Sequence, residues 1–498
     1  STTDTTSISF VWTIGSSTWV DKNENENYTA RHENSFVQAG DKFFLMGGRE
    51  NAQTVDVYDY TTNTWVNLTG SAPAELNHFQ ATEYQGLIWV IGAFGDNGFP
   101  NEVPEEFIWA FDPATNDWIQ GPQIPVGRRR GSTGLVVQNN KFYIVGGNTD
   151  GHDGGYVPWF DEYDPATGVW TPLADAPRAR DHFAAAVIGN QLYVAGGRLS
   201  GGAGGVFAPT IPEVDVFDFG SNTWSTLPAG QNIPTPRAGA SVVNFDSKLV
   251  VIGGEVENQL VYGTPTTGAL PITEEYDPTT QSWLRLDDLN SERHGTQAIT
   301  SGNGIFILGG SPNLGGGNQK NMEYLGADNP IGAPSTSSVL SAPANVIIAD
   351  GTTEDVALNV GNGNVGVFVT SMAITGPDAA DFTITSGELT NQLLNVNSSQ
   401  TMTVGLSGTG ANRSAVLTIN YGDGESITVN LANFDNNLNV TNPGTQNNNE
   451  GDVVSLQIQA SGASNYSATG LPPTLTINPT TGLISGTVSA GGGNTGPF

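Results

Sequence analysis

The sequence predicts an all-β chain: a four-stranded unit repeated six times, followed by two smaller all-β modules. Three observations lead there. The first is a short apolar run ending in a glycine pair. It reads "KFFLMGG" at 42–48, "KFYIVGG" at 141–147, "QLYVAGG" at 191–197, "KLVVIGG" at 248–254 and "GIFILGG" at 304–310, with a worn copy, "LIWVIGA", at 87–93. A period of about 40–55 residues marks arrays of repeated supersecondary units. The second observation is an aromatic residue followed seven positions later by tryptophan, in Tyr58/Trp65, Phe111/Trp118, Tyr163/Trp170, Phe217/Trp224 and Tyr276/Trp283. The third is a change of composition. Of 17 Lys and Arg, only Arg413 lies beyond residue 330, where short alternating strands continue.

The elements of a unit follow from local chemistry. In "EYDPATGVW" Pro165 presets φ for a turn and Gly168 suits the left-handed position. The aromatic and the Trp then sit on adjacent antiparallel strands, where large rings pack. An apolar strand such as "HFAAAVIG" comes first, the glycine-ended strand second, and the aromatic and Trp strands third and fourth. Glycine in a strand marks close backbone approach, so the glycine pair is where one unit meets the next. Trp12 and Trp19 repeat the seven-residue spacing without a preceding glycine pair, and "NMEYLG" after Gly310 has no Trp. The strand around Trp19 is therefore expected to complete the unit of residues 293–326.

"YIVGG", "YDPATGVW" and "LYVAGG" resemble the kelch repeat, over roughly residues 1–326. The resemblance implies a six-bladed β-propeller. Residues 327–343, rich in Pro, Ser and Gly, read as a linker. Residues 344–432 alternate in short strands, as an Ig-like sandwich does. "ITGPDAADFTI" and "RSAVLTINYGDGESITVNL" in that stretch resemble Ig-like modules of bacterial secreted proteins. Residues 433–498, with "YSATGLPPTLTINPTTGLISGTV", resemble the Ig repeat of bacterial surface proteins, with Thr474 and Val488 departing from its pattern. The closing "SAGGGNTGPF" offers no alternation for a last strand. This module is thus expected to be incomplete, finished by further chain or by a strand donated from a neighbouring subunit.

Composition excludes several function classes. The 498 residues include no cysteine, which rules out disulfides and thiol chemistry. Galactose oxidase shares the kelch-type propeller, but its cofactor needs a Tyr–Cys crosslink, so that activity is excluded. A net charge of −32 opposes nucleic acid and anionic membranes. No apolar run reaches the roughly 18 residues of a membrane helix. "STTDTTSISF" reads as the mature end left by a removed export signal.

Candidate ligand-binding residues gather before the first strands. Arg31, Arg130, Arg180, Arg237 and Arg293 share that place and are expected to ring one channel mouth. There they would either attract an anionic sugar or pair with acids such as Glu162, Glu213 and Glu274. His32, His78, His182 and His294 stand beside them, one repeated position with a structural task. Phe99, Tyr156, Trp159, Phe207 and Tyr262, in long loops between second and third strands, are candidate sugar platforms. "DGHDGG" offers Asp150 and Asp153 as weak calcium ligands, without calcium-loop spacing. No other metal, no cofactor and no catalytic residue is indicated, and no hydrolase or phosphate-loop motif occurs. The expected function is a secreted or cell-surface bacterial binding protein: a propeller recognising a glycan or surface protein, on an Ig-like stalk. The alternatives are a carbohydrate-active enzyme, a mutarotase or lyase at an arginine-rich funnel, and a structural subunit of an extracellular filament or sheath. Kelch-type sialic acid mutarotases resemble this chain at the level of fold.

Overall fold

The computed structural model describes residues 16–203, 205–410, 412–433, 439–461, 463 and 465–489. Trp12 and the closing glycine-rich residues lie outside them. Among the described residues there are strands and short 3-10 turns and no α-helix.

Six four-stranded antiparallel sheets form the blades. Blade 1 comprises Asn34–Ala39, Lys42–Gly47, Asp56–Asp59 and Thr64–Asn67. Blades 2, 3 and 4 repeat this order, starting at Ala81, Gly134 and Ala184. Blade 5 starts at Ser241 and carries an inserted hairpin, Glu255–Val261 with Thr264–Ala269, between its second and third strands. Blade 6 takes Ile299–Ser301, Gly304–Leu308 and Met322–Gly326 from one end of the repeat array. Its fourth strand is Ser16–Asp21 from the other. The Trp19 strand thus closes the ring, as the orphan Trp predicts, and no blade is left with an open inner partner.

The seven-residue spacing has a direct structural meaning. Tyr58 faces Trp65, Phe111 faces Trp118, Tyr163 faces Trp170, Phe217 faces Trp224 and Tyr276 faces Trp283 across adjacent strands. Their ring centroids are 5.2, 5.3, 6.1, 5.2 and 5.3 Å apart. The turn between them is organised by an aspartate. Asp59, Asp112, Asp164, Asp218 and Asp277 each accept, through Oδ1, the backbone N–H two residues on.

The glycine pairs join blade to blade. Gly48, Gly147, Gly197, Gly254 and Gly310 each donate their N–H to a carbonyl at the start of the next blade, at 2.8–2.9 Å. The first glycine of the pair lies against the same carbonyl. A Cβ on Gly253 (φ +64) would sit 2.4 Å from Arg293 O, and one on Gly47 (φ +63) 2.4 Å from Leu76 O.

The sandwich has two sheets. One holds Val339–Ser341, Thr353–Gly361, Ser399–Leu406 and Phe382–Ser386; the other holds Asn345–Ile347, Glu425–Ala432, Ser414–Tyr421, Val367–Thr375 and Gln392–Leu394. Val356, Leu358, Val369, Met402, Leu417 and Val429 fill the space between them. The first of these strands falls inside the stretch expected as a linker. That stretch is held to both neighbours: Gln38 Nε2 of the propeller donates to Ile331 O (2.7 Å), and Thr336 is bonded to Asn364 of the sandwich. The sandwich itself packs on the underside of blades 2 and 3. Phe368, Val365 and Leu393 join Trp89 and Phe142 in one apolar cluster, and Gly366 and Leu393 donate to Gln85 O and Pro165 O at 2.7 Å. In the last module Val453–Gln457, Leu483–Thr487 and Leu475–Ile477 form an open three-stranded sheet, with edges unpaired among the described residues.

Candidate functional site

The site grows from one backbone position. Just before each first strand a residue adopts a left-handed conformation: Glu33 (φ 54), His78 (48), Ser132 (55), His182 (52), Gly239 (61) and Gly295 (65). The turn aims backbone groups across the propeller axis. His78 N–H donates to Glu33 O (3.0 Å), Ser132 N–H to His78 O (2.8 Å), Gly239 N–H to His182 O (2.7 Å) and Gly295 N–H to Gly239 O (2.9 Å). These bonds run around the axis and turn the side chains at these positions into the channel lining. Deeper along the axis Gln80 bonds Ala185, and Gln297 bonds Ala81 and Ser35. The axis is stoppered there, and only a cavity of about 50 Å³ remains beside Glu33, His78, Ser132 and His182.

Above the ring the long loops build a mouth. A cavity of about 490 Å³ is lined by His32, Glu33, Arg49, Phe99, His152, Phe207, Glu255 and residues 315–317, among others. Glu102, from the blade 2 loop, accepts from His152 Nδ1 (2.9 Å) and from Arg49. Arg198 pairs with Glu255 and donates to Ser200 Oγ (2.9 Å). Ser200 in turn bonds Asp181, which accepts from His182 Nδ1 (2.6 Å). Phe99 lies over Arg49 and Phe207 over Arg198, at 5.6 and 5.0 Å. The rings of His78, His152 and His182 lie 4.7–5.1 Å apart, centroid to centroid.

Burial sets the charge states. Loss of water holds His78 and His182 well below the ordinary imidazole range, and the nearby arginines add to it. His294 goes the other way: burial lowers it, but Glu255 and Glu33 together outweigh that and raise it. Burial pushes Glu33 up, yet the hydrogen bond and positive charge of His294 help hold it well below the carboxylate range. Cations and carboxylates are thus nearly balanced in the mouth.

The expected arginine ring does not exist as a ligand surface. Arg31, Arg130, Arg180, Arg237 and Arg293 are at most 1% exposed. They pair inside their own blades with Asp56, Asp161, Asp215, Glu274 and Glu323. Each guanidinium also donates to the carbonyl of the first glycine of its pair, Gly47, Gly146, Gly196, Gly253 or Gly309. A buried cation needs such partners, which is why none faces the axis. Of the acids expected to pair with arginines, Glu274 does. Glu162 binds Lys141 and Tyr143, and Glu213 is 3.9 Å from Arg178.

The histidines do not share one position either. His78 and His182 occupy the left-handed place, whereas His32 and His294 come one residue earlier. Among the aromatic candidates, Phe99 and Phe207 reach the mouth. Trp159 stacks on Arg128 at 4.6 Å, and Tyr262 donates to Glu274 Oε1 (2.6 Å) beneath Arg285. Tyr156 is 37% exposed outside the cavity. Asp150 and Asp153 are exposed, and among the described residues no metal-ligand group forms around them. Their loop instead delivers the buried His152 to the axis. Sequence reasoning missed Glu33, Asn77, Glu102, His152, Asp181 and Glu255. The Asn-His and Asp-His pairs at 77–78 and 181–182 were the available signal.

Residues 121–310 match the KLHDC2/KLHL20/DRC7 Kelch-repeats domain. That stretch carries kelch repeats. Residues 437–497 match the Putative Ig domain. The kelch-like protein terF of Aspergillus terreus (strain NIH 2624 / FGSC A1156) is 31% identical over 56% of this chain and 61% of its own length. Alpha-scruin of Limulus polyphemus is 25% identical over 50% of this chain and 27% of its own. Kelch-like protein 23 of Homo sapiens is 24% identical over 51% and 41%. The chain thus spans from about a quarter to three-fifths of these relatives. Among solved structures, YjhT superposes with a TM-score of 0.51 at 16% identity, covering 60% of this chain and 95% of that one, a likeness of fold.

Proposed function

We propose that the loop face of the propeller is a recognition surface outside the bacterial cell, and that its mouth receives a hydroxyl-rich group, the sugar of a glycan or glycoprotein. One observation carries this reading: two phenyl rings, Phe99 and Phe207, each backed by an arginine, flank a cavity of about 490 Å³ whose other lining is Leu314 together with carboxylate, imidazole, guanidinium and backbone groups. Such rings suit the apolar faces of sugars, and carboxylates accept from hydroxyls. Because the five strand-leading arginines are spent inside the blades, a neutral sugar fits better than a uronate or sulfated one. The sandwich packs on the opposite face, and the Ig-like modules serve as the stalk.

A glycan array with the full chain tests this. Phe99→Ala with Phe207→Ala should weaken each bound glycan about 10-fold or more, at about 0.5–1.5 kcal/mol per ring. Unchanged binding by the double variant sinks the reading. The enzyme alternative draws on the His152–Glu102 pair, which reaches the same cavity within hydrogen-bond distance. Accelerated anomeric exchange of a bound sugar, followed by NMR, would favour it.

A further inference from the structure

Three buried imidazoles meet where the mouth joins the axial cavity, and their tautomers follow from their partners. His182 Nδ1 lies 2.6 Å from Asp181 Oδ1, and His152 Nδ1 lies 2.9 Å from Glu102 Oε1. A carboxylate accepts, so both Nδ1 atoms carry the proton. His78 Nδ1 lies 2.5 Å from Asn77 Oδ1. That amide cannot be reversed, because Asn77 Nδ2 donates to Glu75 O (2.8 Å) and Asp96 O (2.7 Å). His78 Nδ1 therefore carries its proton as well. All three Nε2 atoms are left as bare lone pairs.

Those lone pairs converge. His152 Nε2 and His182 Nε2 are 3.2 Å apart. Two lone pairs at that distance repel unless a cation stands between them. His78 Nε2 is buried and has no hydrogen-bond partner, and neither does Ser132 Oγ beside it. One nitrogen from each imidazole lies within 4.8 Å of the others. Bonds of about 2.0–2.1 Å in a tetrahedral site place nitrogen ligands about 3.3 Å apart. One edge of such a site already has that length, and His78 completes the group with a nitrogen within 4.8 Å of the other two. A histidine whose second nitrogen is held by a carboxylate or carbonyl oxygen is the usual arrangement around zinc.

We propose that His78, His152 and His182 form a binding site for one divalent late first-row transition ion of the zinc type. Glu102, Asp181 and Asn77 fix the three rings. Another carboxylate beside the site, Glu33, lies 3.4 Å from His78 Nε2 and lines both cavities. Imidazole donors suit zinc, cobalt, nickel and copper rather than calcium or magnesium. The proposal stands on the three imidazoles alone and holds whether or not the mouth takes a sugar.

Cobalt(II) and zinc(II) titrated into the chelator-stripped full chain test it. The expected result is one equivalent bound per chain, visible ligand-field absorption with cobalt, and a higher melting temperature with either ion. His152→Ala changes a loop residue and should weaken binding at least 100-fold, with an unchanged circular dichroism spectrum. Glu102→Gln should weaken it about 10–100-fold. Absence of saturable binding, or equal affinity in His152→Ala and the parent chain, overturns the proposal. So does a melting temperature indifferent to both ions, the result expected if a proton rather than a metal bridges His152 and His182.

Discussion

Arg237 shows at the scale of one residue what the repeated arginine does. It is fully buried, pairs with Glu274 Oε2 (2.6 Å), and donates to Gly253 O, Thr235 O (2.7 Å) and Val251 O (2.9 Å). It therefore ties the start of the first strand to the second and third. Removing one partner of a buried pair strands the other charge, so Arg237→Met should cost about 3–5 kcal/mol in denaturant unfolding. The pair also carries a pH signature. Burial pushes Glu274 up, but Arg237 and the Tyr262 and Thr235 hydroxyls hold it below its ordinary value of 4.5. A lowered carboxylate contributes stability above its unfolded pKa and loses it as pH falls through the folded one. The melting-temperature gap between the parent chain and Glu274→Gln should therefore narrow as pH falls below that ordinary value of 4.5. A gap independent of pH would remove this account. The arginine's place was legible from its repeat, because position within a unit is local. Its role was not, because an arginine before a strand points to the axis or back into the blade by rotamer alone.

At the scale of the element, the glycine pair and the aromatic-to-Trp spacing were readable because each lies within one unit and follows from strand and turn geometry. Two glycines separate conformation from space. Gly189 (φ +59) has nothing within 4 Å of an added Cβ, whereas Gly253 (φ +64) would press one 2.4 Å from Arg293 O. Gly189→Ala should cost about 1–2 kcal/mol for its left-handed backbone. Gly253→Ala should cost clearly more, because it also parts blades 5 and 6; equal losses in denaturant unfolding would contradict that. The central site was harder to read. His78 and His182 differ by one residue in repeat position from His32 and His294, and that one-residue step leaves His32 and His294 outside the cluster of three imidazoles. His152 and Glu102 come from loops of unequal length, so no period places them.

For the whole molecule, the sandwich is seated on blades 2 and 3 by an apolar cluster that includes Trp89 and Phe368, rings 5.7 Å apart. Propeller and sandwich should therefore melt together. Phe368→Asp should split calorimetric unfolding into two transitions, and a single transition retained in that variant would deny the coupling. The division after residue 330 was visible in the fall of basic residues; the close seating was not, since Val365, Phe368 and Leu393 also read as ordinary strand residues. The ring of six left-handed positions has a wider consequence. Its geometry is kept by backbone bonds, so Glu, His, Ser, His, Gly and Gly all satisfy it. The architecture is symmetric while its contents are not. Over evolutionary time such a scaffold can exchange the chemistry at its centre one residue at a time, with no new fold required for a new specificity.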